Sequence, residues 1–126
     1  MATPARPLSP HLQIYRWQIS NTLSIMHRLS GVFLSLGLVL LTAWLMAVAS
    51  GPAAYAALMS VLRGPLGFLA LTGWTAAFFF HFCNGIRHLF WDAGIGFEKR
   101  HSRLSGWLSL AATLLLTAGV VAWIYK

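Results

Sequence analysis

His81, Asn84, Gly85, His88 and Asp92 share one face of a helix at 3.6 residues per turn. They belong to the run His81-Phe82-Cys83-Asn84-Gly85-Ile86-Arg87-His88-Leu89-Phe90-Trp91-Asp92, which closes a long apolar segment. Ionisable side chains inside a membrane span are costly, so their presence points to function. Two imidazoles two turns apart, with a glycine between them, suit a flat ligand with polar edges lying against the helix. Haem is the best candidate. His81 would lie ~10 Å deeper than His88 at ~1.5 Å per residue. A neutral imidazole is tolerated at that depth and a carboxylate is not, so iron ligation suits His81. His88 and Arg87 suit the charged propionates nearer the interface. Gly85, one turn from His81, lets a porphyrin approach the backbone, and Gly73 and Ala77 continue the small-residue face. Two histidines that only hydrogen-bond within a bundle would satisfy the same pattern, so the residues alone leave a cofactor-free reading open.

One chain is short of ligands. His81 and His88 project from the same side of one helix and cannot be opposite axial ligands of one iron. His27 is another candidate, but its depth matches His88 better than His81. A six-coordinate haem would therefore take a histidine from a second polypeptide. Cys83 lies about 100° from the His81 stripe and reads as an ordinary buried thiol. As the single cysteine it excludes an internal disulfide.

A second cluster opens the first apolar segment. Ser24, His27 and Arg28 stand at i, i+3 and i+4 and can converge on one patch. Hydroxyl, imidazole and guanidinium together offer hydrogen-bond donors to a carbonyl oxygen or an anion. A quinone, a flat apolar ring with two carbonyls, needs such donors at the lipid boundary. A capped helix start with Arg28 snorkelling to headgroups is the alternative.

Membrane spans must position both clusters. Of 126 residues 58% are hydrophobic and 9% charged, which excludes an ordinary soluble domain. A span takes about 20 apolar residues, and three stretches qualify: 22–49, 65–92 and 103–125. They are fenced by Ser50-Gly51-Pro52, by Gly64-Pro65 and by the polar loop 94–102. Pro65 suits a first helical turn, where its missing N–H costs nothing. The expected fold is an all-α membrane protein, with three transmembrane helices in an up-down bundle (22–126) behind an N-terminal cytoplasmic arm (1–21). No internal repeat or low-complexity tract is visible.

The net charge of +7 is not arranged for nucleic acid. Arg6, Arg16, Arg28, Arg87, Lys99, Arg100 and Arg103 fall on one side of the expected bundle, and only Arg63 and Lys126 on the other. By the positive-inside rule the N-terminus is inside and the C-terminus outside. Tyr15, Trp17, Trp91 and Trp107 would mark the inner interface, and Trp44, Tyr55, Trp123 and Tyr125 the outer one. Trp74 falls well inside a span and outside both belts. The first residues lack the apolar core of a cleavable signal and a long Arg- and Ser-rich presequence, so a bacterial inner membrane is expected.

Three motifs carry a family resemblance. The arm Arg6-Pro7-Leu8-Ser9-Pro10-His11-Leu12-Gln13-Ile14-Tyr15, the run Ser24-Ile25-Met26-His27-Arg28-Leu29-Ser30-Gly31, and His81 through Asp92 resemble, in order, the cytochrome b subunit of succinate dehydrogenase, respiratory complex II. The mitochondrial and alphaproteobacterial form is the most similar, and the resemblance covers almost the whole chain. Ser30 stands where a threonine is typical, a conservative change. The resemblance implies that His81 is an axial ligand of haem b, with the other ligand from a second small membrane subunit. It implies that His27, His88 and Arg28 lie near the propionates. It also implies that Ser24 and Arg28 help form the ubiquinone site, with Trp17 and Ile25 lining it. An iron–sulfur subunit and a flavoprotein would dock on the inner face. Succinate would be oxidised at the flavin, outside this chain, and electrons would reach the quinone through iron–sulfur clusters.

Other functions compete. A fumarate reductase anchor would run the reverse reaction, and a cofactor-free anchor would use its histidines only to join helices. A proton channel is weaker, since Asp92 is the only acidic residue near a span and no carboxylate lies at mid-membrane.

Overall fold

A computed structural model describes residue 14, residues 16–124 and residue 126. All of the arm motif except Ile14 lies outside the described residues, as does Tyr125. Four helices follow in order: α1 (Ile19–Ala49), α2 (Pro52–Leu62), α3 (Pro65–Asp92) and α4 (Lys99–Ile124). The described residues contain no strand. α1, α3 and α4 are each long and apolar enough to cross a membrane. The chain is a multi-pass membrane protein.

The helices begin and end where local chemistry requires. Pro65 occupies the first turn of α3 behind an extended Gly64, as expected. α3 ends in a Schellman motif: Gly94 takes φ 79°, its N–H donates to the Trp91 carbonyl, and the Ile95 N–H donates to the Phe90 carbonyl. A side chain at position 94 would be strained by that positive φ.

The sequence reading treated 50–64 as a connection, and the structure makes most of it a helix. Four alanines favour α2, and Pro52 is pre-organised at its start. At eleven residues, ~16 Å long, α2 cannot span a bilayer. α1 begins three residues before the expected boundary at 22, and α4 begins at Lys99 rather than Arg103, so polar and basic turns extend both helices.

α3 is the central helix, packed on one side against α1 and on the other against α4. Residues near the start of α1 meet residues near the end of α3, and the end of α3 meets the start of α4, so successive spans are antiparallel. Leu23 is the one fully buried large apolar residue among those described. It sits where α1 meets α4, because a Cβ on Gly106 would come within 2.8 Å of its Cδ1. None of the most apolar stretch of α1 is buried. Its aliphatic surface therefore faces lipid or a neighbouring subunit, since an apolar surface of that extent does not stay in water. Trp74, the aromatic outside both belts, lies in a notch at Gly37, where any Cβ would overlap its indole. Its Nε1 is buried without a hydrogen-bond partner among the described residues.

Candidate functional site

Both polar clusters lie at the end of the bundle that holds the α3–α4 turn. On the α1–α3 seam His27 stacks on His81, with ring centroids 4.0 Å apart and planes inclined by 12°. His27 also faces His88 at 5.0 Å, tilted by 35°. Depth along the sequence paired His27 with His88; the tertiary packing brings it closer to His81. The reason is geometric, since the depth at which two helices cross also depends on how they tilt.

His81 is held from α1. Its Nδ1 lies 3.1 Å from the His27 carbonyl and 3.1 Å from Ser30 Oγ. Its ring packs over bare backbone, for a Cβ on Gly31 would come within 3.0 Å of His81 Cε1. His27 Nδ1 is buried and has no partner among the described residues. A buried polar atom left so costs about 1–3 kcal/mol, and such atoms in native structures call for an explanation. Beside the histidines α3 is open: a Cβ on Gly85 or Gly73 would meet nothing within 4 Å.

The stacking limits what this trio can do with a metal. Imidazole lone pairs lie in the ring plane, and the nearly parallel rings of His27 and His81 point side by side. They cannot bind one iron from opposite faces. No group of three metal-ligating residues forms a closed site among the described residues.

Arg87 and Asn84 face the other way. Arg87 is 5% exposed; its Nε donates to Ser105 Oγ at 3.1 Å and its Nη2 to the Ser102 carbonyl and Ser102 Oγ at 3.1 and 3.2 Å. Its guanidinium also lies 4.1 Å over the Trp91 ring. Asn84, 1% exposed, donates to the Phe80 carbonyl and lies 3.5 Å from Ser109 Oγ. The expected positions were the histidine stripe for Asn84 and a propionate for Arg87; within the chain both side chains bond on the α4 side or to α3 itself. A 60° offset at Asn84 and a 120° offset at Arg87 carry them from the His81 direction onto the α3–α4 seam.

The residues expected at a quinone do not all converge. Ser24 is half-buried and Arg28 exposed, and neither bonds to a described residue. Ile25 is 44% exposed on a neighbouring face. Trp17 donates to Thr22 Oγ1 at 2.6 Å and lines an apolar cleft of about 1130 Å³ that Ser30, Gly73 and Ala77 also line. Ser24, Ile25 and Arg28 do not line that cleft.

Sequence reasoning passed over Ser30 as a conservative change and did not single out Ser102, Ser105 and Ser109. The signal for the α4 serines was present: spacings of three and four put them on one helical stripe, together with Gly106.

Three apolar spans with imidazoles gathered at one end define a multi-pass helical membrane protein. Comparison with known proteins narrows this. The sequence pattern of the succinate dehydrogenase/fumarate reductase transmembrane subunit matches residues 2–120. The chain is 44% identical over 111 residues to the succinate dehydrogenase cytochrome b556 subunit of Paracoccus denitrificans, covering 88% of this chain and 85% of that one. It is 42% identical over 119 residues to the cytochrome b556 subunit of Rickettsia bellii, covering 94% and 91%. It is 37% identical over 119 residues to the mitochondrial cytochrome b560 subunit of Sus scrofa, covering 93% and 70%. The chain belongs to the family of succinate dehydrogenase/fumarate reductase transmembrane subunits.

Proposed function

We infer that this chain is the haem b-binding anchor of a succinate:ubiquinone oxidoreductase and helps form its quinone-reduction site. The observation that carries the reading is the convergence of His27, His81 and His88 at one end of the α1–α3 seam. The orphaned His27 Nδ1 and the open face of α3 at Gly85 and Gly73 fit a planar group laid beside the trio. The cytochrome b names of the relatives agree with it.

In this reading His81 would hold the haem iron through Nε2, which bonds to no described residue. The side-by-side rings of His27 and His81 favour a second ligand from another membrane subunit. His27 and His88 hold the propionate side, with the exposed Arg28 within reach of the same boundary. Arg87 braces α4 instead. When bound, haem supplies a one-electron store close to the quinone.

Ser24 and Arg28 are one turn apart, unengaged among the described residues, and can donate to a quinone carbonyl. Ile25 lies beside them; Trp17 reaches that ligand only from across the helix start. The iron–sulfur and flavoprotein subunits would dock on the basic side of the inner membrane, where Lys99, Arg100 and Arg103 lie, all exposed. A periplasmic reporter fused after Lys126 should be active; activity from a cytoplasmic reporter alone would reverse the orientation.

One observation favours the cofactor-free anchor: Nδ1 of His81 already ties α3 to α1. The visible spectrum of the purified complex separates the two. Haem in stoichiometric amount that falls away in His81→Ala supports ligation; a colourless, fully assembled complex leaves only the anchor.

A further inference from the structure

The contacts of His81 Nδ1 determine which of its nitrogens is free. A backbone carbonyl can only accept, so the 3.1 Å approach to the His27 oxygen requires a hydrogen on Nδ1. Were Nδ1 bare, two lone pairs would face each other there. Ser30 Oγ could in principle donate to Nδ1, but its single hydrogen goes to the same His27 carbonyl at 2.8 Å. Toward His81 the serine therefore presents a lone pair, at 3.1 Å. Nδ1–H is shared between two acceptors, and the neutral ring keeps its lone pair on Nε2. Ser30 is 7% exposed. Gly31 leaves room for the ring edge between the two nitrogens.

We propose that Ser30 is a positioning residue that, together with the His27 carbonyl, holds His81 in the Nδ1–H tautomer and so leaves its lone pair on Nε2. This rests on the assignment of His81 as iron ligand and extends it to the group behind the ligand. An acceptor on the far nitrogen makes imidazole a stronger donor to metal, and such outer partners tune affinity and electronic character. Electron donation of that kind favours the ferric state. A threonine hydroxyl at position 30 could do the same work, because Thr can bond back to the same carbonyl.

The test compares Ser30→Ala, Ser30→Thr and His81→Ala in the purified complex, reading the haem midpoint potential and the low-spin electron paramagnetic resonance signal per assembled complex. Ser30→Ala should keep its haem, move the potential in the positive direction and shift the g values, while Ser30→Thr stays close to the parent. An unchanged potential and signal in Ser30→Ala, or an equal shift in Ser30→Thr, overturns the proposal. A second measurement needs neither haem nor assembly. Nitrogen NMR of the full chain with labelled histidine, in lipid nanodiscs, should show His81 protonated at Nδ1, with its resonance assigned by loss in His81→Ala. Protonation at Nε2 instead also overturns the proposal. A native low-spin haem signal in His81→Ala would defeat the ligand assignment itself, and the NMR result would still report on the tautomer.

Discussion

The two faces of α3 solve opposite problems with similar residues. Toward α4, the buried Arg87 and Asn84 are served by Ser102, Ser105, the Phe80 carbonyl and Trp91, so the ion and the amide have partners within the chain. Toward α1, His27 lies within 5.0 Å of both His81 and His88, one buried nitrogen has no partner among the described residues, and the nearby Ser24 and Arg28 bond to nothing described. A polar network completed inside a membrane protein joins helices, because unmet polar groups there are expensive. One that leaves donors and lone pairs free is suited to groups from outside the chain. The α4 seam joins helices, and the α1 seam is where the proposed haem and quinone groups would bind.

The largest expected effect tests the α1 seam. His81→Ala or His81→Tyr should abolish or grossly alter the haem absorbance while the chain remains in the membrane. An unchanged low-spin bis-histidine spectrum would remove His81 from the iron.

Arg87→Gln tests the other seam. It loses charge-assisted hydrogen bonds worth about 1.5–3 kcal/mol, and should lower the yield and thermal stability of the complex in detergent. The haem spectrum and potential per assembled complex should not change. A shifted potential at normal stability would return Arg87 to a propionate and erase the contrast between the faces.

Quinone chemistry gives the next effects. Arg28→Leu should slow succinate-dependent quinone reduction by roughly tenfold or more, and Ser24→Ala by roughly three- to tenfold, at ~1.4 kcal/mol per factor of ten. Electron transfer from succinate to an acceptor reacting at the flavin should stay near normal in the same membranes. Equal loss of both rates would assign the pair to assembly.

The smallest effect belongs to His88→Ala, which should keep the haem and only displace its potential. Loss of haem in this variant with retention in His81→Ala would exchange the two roles.

Helical periodicity is enough to separate the stripe of His81, Gly85 and His88 from Cys83, and apolar length with Gly and Pro punctuation is enough to locate three spans. The Ser24–Arg28 motif and the run from His81 carry the family resemblance without any structure. Short-range chemistry determines all of these: residue spacing along one helix, proline at a first turn, the cost of ionisable groups in lipid. Tertiary structure alone decided which neighbour each face of α3 meets. Arg87 and Asn84 lie near the histidines in sequence yet serve α4, because the angle that separates them from His81 becomes a different seam once helices lie on both sides. His27 belongs with His81 because the crossing of α1 and α3, seated at Gly31 and at the Gly37–Trp74 notch, sets their relative depth. Ser30 acquires meaning only there, since its partner is 51 residues away in the chain and 3.1 Å away in space.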